Sequence, residues 1–328
     1  MKKNLKLFSL LVLILLQTPV FAQRHNYNSP KTKYEFVKNK AFSKSYSVSS
    51  SEKLNITNSF GSVEVKTWDK NEFKVDVAIE VSATSEALAQ KLIDAISIND
   101  KQGGGEVTCV TSINESDTTK GGKSNMTINY TVYMPASNPL NLQNEFGAIV
   151  IPDFKGELNV SSKFGSLTTD ALPNPKNNIS VEFSNAKFES ISNAGVDIKY
   201  SQAEFGKLAG NIKMNLAFCN PIKINIDNNL GSLDLRASYS TVNIKPSTDL
   251  SASYDITTSF GSFKNRAGIQ LEGDDNTNDK YPKFNHHYTG KSGSGAIPVK
   301  VSSSFGKIIL GDATPEEMKE SRSKSLKP

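Results

Sequence analysis

The chain has 328 residues, with 38 Lys and Arg against 33 Asp and Glu, and two cysteines. Its formal charge of +5 falls to +2 once Lys2, Lys3 and Lys6 are removed with residues 1–22, and the remaining charges are scattered. No Lys/Arg run can follow a phosphate backbone, which excludes nucleic acid, and no CxxC or His/Cys cluster supports zinc or redox chemistry.

Residues 1–22 read as a secretory signal peptide. Three lysines precede the apolar run Leu7–Leu16, and Val20-Phe21-Ala22 supplies the small residue at a cut. The run is shorter than the roughly 20 residues of a membrane span, and no Cys stands at the cut to carry a lipid. The expectation is an exported chain beginning near Gln23, periplasmic or at the cell surface, with no membrane span after leader removal.

Residues 23–50 form a polar lead-in without a period. The unit 51–134 opens on Leu54-x-Ile56-x-Asn58-x-Phe60-Gly61-x-Val63-x-Val65, and the alternation of Phe73 to Val81 predicts a long strand. Ser85 then caps a helix whose Leu88, Leu92 and Ile96 lie on one stripe. Two further strands, Val107 to Ile113 and Met126 to Met134, complete an α+β cap at the N-terminal end of the repeats.

The repeats fill residues 135–313. Leu140, Leu142, Asn144 and Phe146 alternate, Gly147 follows, and Ile149 and Ile151 resume with the phase moved by one, giving strand, corner, strand. The corner recurs at Phe164-Gly165, Phe183-Ser184, Tyr200-Ser201, Phe218-Cys219, Tyr239-Ser240 and Phe260-Gly261, in steps of 17 to 21 residues. Such a step predicts an all-β, single-stranded right-handed β-solenoid of about 17–21 residues per coil, with the small α+β N-terminal cap containing one helix. The corner aromatics are expected as a buried ladder along one edge. Residues 266–296 interrupt the series as a polar loop, Val299 to Leu310 is a last copy, and 314–328 is a charged tail.

Motifs that suggest chemistry have duller readings. Gly290-Lys291-Ser292 and Gly122-Lys123-Ser124 lack the glycine that a phosphate loop needs five residues earlier. Asp274, Asn276 and Asn278 have calcium-loop spacing, but Asp279 and Asn285 stand where Gly and Glu belong. His286 and His287 are adjacent on an extended chain and point apart. Asp153, Asp170, Asp197 and Asp234 share no register of the repeat, so no acid pair for glycoside cleavage emerges. Trp68 beside the first corner reads as a packing residue before a sugar platform. Cys109 and Cys219 lie in apolar runs, where a disulfide and two buried thiols both remain open. No catalytic, cofactor or metal residue is expected. The candidate binding residues are Tyr281, Phe284 and Tyr288, an aromatic cluster on the otherwise polar insertion.

The first Phe-Gly copy running into Thr67-Trp68-Asp69, the helix after Ser85, the segment Tyr130–Pro135 and the later corners together resemble the putative-adhesin family of exported bacterial β-helix proteins. That resemblance spans roughly residues 45–313 and implies an adhesin-like envelope role, with no catalytic residues to carry over. The expected function is therefore a non-enzymatic envelope protein binding an extracellular glycan or a protein along one face. The alternatives are a structural or stress-sensing periplasmic scaffold that contacts another envelope protein, and then a polysaccharide-active enzyme.

Overall fold

The computed structural model describes residues 34–114, 123–274 and 284–319; the leader, Tyr281, Asn276 to Asp279 and the end of the tail lie outside them. Alternation decides the strands. β1 (Phe36–Ser47), β2 (Lys53–Ser59), β3 (Val63–Trp68) and β4 (Glu72–Ala83) precede helix α1 (Glu86–Asp94). Ser85 caps that helix by accepting from the Leu88 N–H, and Leu88, Ala89, Leu92 and Ile93 are buried. β5 (Ile96–Gly103), β6 (Glu106–Ile113) and β7 (Ser124–Pro135) follow, and then β8 (Leu140–Glu145) and β9 (Ala148–Ile151) on either side of Phe146.

From β8 onward each pair lies parallel on the pair one repeat later. β10 (Leu158–Lys163) sets Leu158 on Leu140 and Val160 on Leu142, and β11 (Ser166–Leu172) sets Leu167 on Ile149. β12 (Asn177–Glu182), β13 (Asn185–Lys199), β14 (Gln202–Ala217) and β15 (Ile222–Ser238) continue both ladders. After them come β16 (Thr241–Pro246), β17 (Ala252–Ser259) and β18 (Ser262–Asn265). The insertion contributes β19 (Leu271–Gly273) and β20 (Asn285–Lys291), and the chain closes with β21 (Ile297–Ser304), β22 (Lys307–Leu310) and helix α2 (Pro315–Lys319). One buried apolar cluster runs through the unit from Tyr46 to Leu310.

The all-β class holds, but the single-stranded right-handed β-solenoid does not. The described strands form one 22-stranded, nearly closed, barrel-shaped sheet. Three features produce it. First, the alternation runs on through Asn193, Gly210 and Asn228–Gly231, so β13, β14 and β15 each belong to both ladders and weld them together. Second, antiparallel strands extend the ends: β1 on β4 and β4 on β7, β5 on β6, and β20 on both β17 and β19. Third, spatial order departs from chain order, because β21 lies between β15 and β17, and β22 between β16 and β18. At the N-terminal end the two sheet edges approach through side chains. Lys40 donates to the Ile96 carbonyl (2.7 Å), Lys44 pairs with Asp100, and Gln102 donates to the Ser47 carbonyl (2.9 Å).

Within residues 266–296, expected as a polar loop, strand β20 lines the outer edge of β17, with Ser259 opposite Asn285 and Ser253 opposite Lys291. A covered strand edge offers no template for another chain.

Candidate binding face

The corner aromatics are where the sequence and the structure part most sharply. They do form a ladder, but on the outside. Phe60, Phe146, Phe164, Phe183, Tyr200, Phe218, Tyr239, Phe305, Phe260 and Phe284 stack in that spatial order at centroid steps of 4.7–5.2 Å. All ten are between 40% and 56% exposed. The expected burial is therefore corrected.

The cause is backbone geometry. Nine of the ten rings sit on residues with φ between 49° and 64°, the left-handed region, and Asn193 is the one other described non-glycine there. A left-handed residue breaks the inward-outward alternation, so the aromatic swings out while the next residue turns in. That next position must be small. A Cβ on Gly147 would stand 1.8 Å from the Gly61 carbonyl oxygen, and one on Gly165 1.9 Å from that of Gly147.

Where the following residue is not glycine, its side chain replaces the lost room with hydrogen bonds. The Ser184 hydroxyl accepts from the Gly165 N–H (3.0 Å) and donates to the Glu182 carbonyl (2.9 Å). Ser240 repeats this with the Cys219 N–H and the Ser238 carbonyl. Cys219 donates its thiol to the Ile198 and Ala217 carbonyls, and burial pushes that thiol up from its usual range. Both cysteines are free and buried.

The left-handed backbone costs about 1–2 kcal/mol per residue, and each offset-stacked ring pair returns about 0.5–1.5 kcal/mol. The two nearly cancel. Glycine would take the same φ without that cost, yet nine of these corners carry an aromatic.

Of the three candidate residues, Tyr281 lies outside the described residues. Phe284 is the terminal ring of the row, 5.0 Å from Phe260. Tyr288 belongs to a separate contact, packing on Phe263 at 4.7 Å. The calcium-like run is described only at Asp274, whose carboxylate accepts from the His287 N–H. His287 reaches Asp255 (2.9 Å), and His286 stacks near Tyr288. Among the described residues no three metal-ligating side chains converge.

The four aspartates are not gathered either. Asp153 accepts from the Ala171 N–H, Asp197 from Asn215, and Asp234 lies 3.8 Å from Arg236. Trp68 donates to the Glu72 carbonyl (2.8 Å), stacks on Tyr133 and carries Lys70 over its ring. Its faces are taken. The ring row itself was not legible as a surface, although the small residue after each of the nine corner aromatics was the signal for which side chain turned inward.

No family model matches the chain, and no curated protein is similar to it. Among solved structures, a putative adhesin from Bacteroides fragilis is 12% identical, with 83% of this chain and 97% of that one covered and a TM-score of 0.43. A putative cell adhesion protein from Clostridium sporogenes is 11% identical, covering 84% and 100%, with a TM-score of 0.24. A putative lipid binding protein from Parabacteroides distasonis is 9% identical, covering 83% and 97%, at 0.25. At these identities and scores the likenesses assign no partner or activity to this chain.

Proposed function

We propose that this chain is an exported, non-enzymatic binding protein of the cell envelope, which holds a glycan or protein partner along the face bearing the outer ring row. One observation carries the reading: ten aromatic rings stand exposed in a single line, nine of them on backbone that favours glycine. Contiguous exposed apolar surface marks interaction sites, and strained residues persist where function retains them. The non-enzymatic part is supported by the dispersal of Asp153, Asp197 and Asp234 onto separate structural partners. The scaffold alternative rests on polar outward positions such as Lys163, Ser166, Thr168, Lys187, Glu189 and Lys199. The ring row beside them favours binding.

The test is saturable binding of the full exported chain to the envelope fraction of the cells that export it, with cross-linking to recover the partner. Tyr200→Gly/Phe218→Gly keeps backbone that suits the corner while interrupting the row. Binding at least tenfold weaker, with Tm within a few degrees of the parent, is expected. Undiminished binding in that variant, or none in the parent, would overturn the reading.

A further inference from the structure

The flank of the ring row changes character halfway along. The residue immediately before the second to fifth rings is Glu145, Lys163, Glu182 and Lys199. Before the sixth to ninth it is Ala217, Ser238, Ser304 and Ser259, and strand register sets these four side by side. Long charged side chains cover the first flank, where Lys163 and Glu182 approach to 3.7 Å. On the second flank the cover is missing, and an open groove of about 430 Å³ lies there, running across β13, β14, β15, β21 and β17.

Its floor is methyl and hydroxyl. Two residues back along each strand, the opposite side carries Asp197, Asn215, Arg236, Ser302 and Thr257 in register. Asp197 accepts one Asn215 amide hydrogen bond at 2.9 Å, which holds that amide in place and leaves its carbonyl oxygen as an acceptor. Arg236 is exposed, and Lys199 stands at one end.

Three classes of occupant fit badly. A peptide adding as a strand needs a free edge, and β15, β21 and β17 are paired on both sides here. An apolar helix would bury the hydroxyls of Ser238, Ser304 and Thr257 without partners. A highly charged polymer meets Lys199 and Arg236 balanced by Asp197 and Asp234. What remains is a neutral chain rich in hydroxyls with apolar C–H surface between them. We propose that this groove is a binding subsite for a neutral glycan, lying across the strands alongside Phe218, Tyr239, Phe305 and Phe260. This deepens the preceding reading and rests on it.

The experiment prints neutral and acidic glycans on an array, applies the full exported chain, and follows the best neutral glycan by calorimetry. Ser238→Lys and Ala217→Lys fill the groove and should each weaken binding at least tenfold. Arg236→Ala, at an exposed site, should weaken it about threefold or more and guards against misfolding of the first two. Thr168→Lys, on another strand face, should change nothing. Neutral-glycan binding indifferent to Ser238→Lys, Ala217→Lys and Arg236→Ala overturns the site. Binding confined to acidic glycans overturns the ligand class. Envelope binding that depends on the ring row but involves no glycan overturns this inference alone and leaves the row as a protein-binding face. Loss of envelope binding in the parent removes both.

Discussion

Two aromatic stacks in this protein share one geometry and differ in everything else. Phe188 and Phe205 stack at 4.7 Å with planes 8° apart, deep inside the sheet, and both are fully buried. Phe146, Phe164 and Phe183 stack at 5.0 and 5.1 Å with planes 7° and 2° apart, on the surface. Parallel in-register pairing explains both, since it places equivalent side chains one strand spacing apart whatever their environment. Stacking therefore reports register. Burial is a separate matter, set by whether the residue keeps the alternation or leaves it at a left-handed corner.

The largest expected effect separates the two stacks by energy. Phe205→Ala removes a buried ring from a close-packed layer and should cost about 3–5 kcal/mol in denaturant unfolding, by lost transfer energy and the cavity left behind. A loss under about 1.5 kcal/mol would mean that the interior collapses around the gap, and that the inner stack differs little from the outer.

A second effect reads the interior through pH. The Tyr130 hydroxyl lies inside, bonded to Thr111 at 2.8 Å, and burial pushes its pKa up to about 12. The unfolded value is near 10, so between pH 10 and 12 the native state binds the proton that the unfolded chain releases. Stability from this group is whole below pH 10 and is lost as pH rises toward 12, by roughly 2–3 kcal/mol. Tyr130→Phe should flatten that stretch of the stability curve. An unchanged alkaline slope in the variant would show that Tyr130 does not carry it.

These contrasts mark what was legible in the sequence. Strand positions were, because period 2 is read directly from Leu54, Ile56, Val63 and Val65 onward. So was the helix after Ser85, from its cap and from Leu88 and Leu92, although Ile96, read onto the same stripe, opens β5 instead. The side on which the rings stand was not. Continuing the alternation of Leu140, Leu142 and Asn144 puts Phe146 inward, and only a positive φ reverses it. Gly147, Ser184 and Cys219 held that information, since a small residue is demanded where backbones approach and not beside it. Sheet closure was also hidden. Setting β21 between β15 and β17 depends on where the chain returns after residues 266–296, which no local pattern encodes. The open flank at Ala217, Ser238, Ser259 and Ser304 was readable as a row of small residues, but its meaning required the spatial order.

The smallest effect is the sharpest test of the comparison, because it turns on a sign. Phe164 touches two rings of the outer row and has φ 54°. Phe164→Ala should cost about 1–3 kcal/mol, two ring pairs at about 0.5–1.5 kcal/mol each, since the ring is already half in water and little burial is lost with it. Phe164→Gly loses the same contacts but relieves left-handed backbone worth about 1–2 kcal/mol, against an entropic cost of about 0.5–1 kcal/mol for glycine. Glycine should therefore be equal to alanine here, or more stable by up to about 1.5 kcal/mol. At Phe205, where the backbone is an ordinary strand, the order must reverse, with glycine below alanine by about 0.5–1 kcal/mol. Chemical unfolding of the four variants measures both differences. If glycine falls below alanine at Phe164 as well, the corner backbone is not what turns the rings outward. The stacking itself would then have to hold them there.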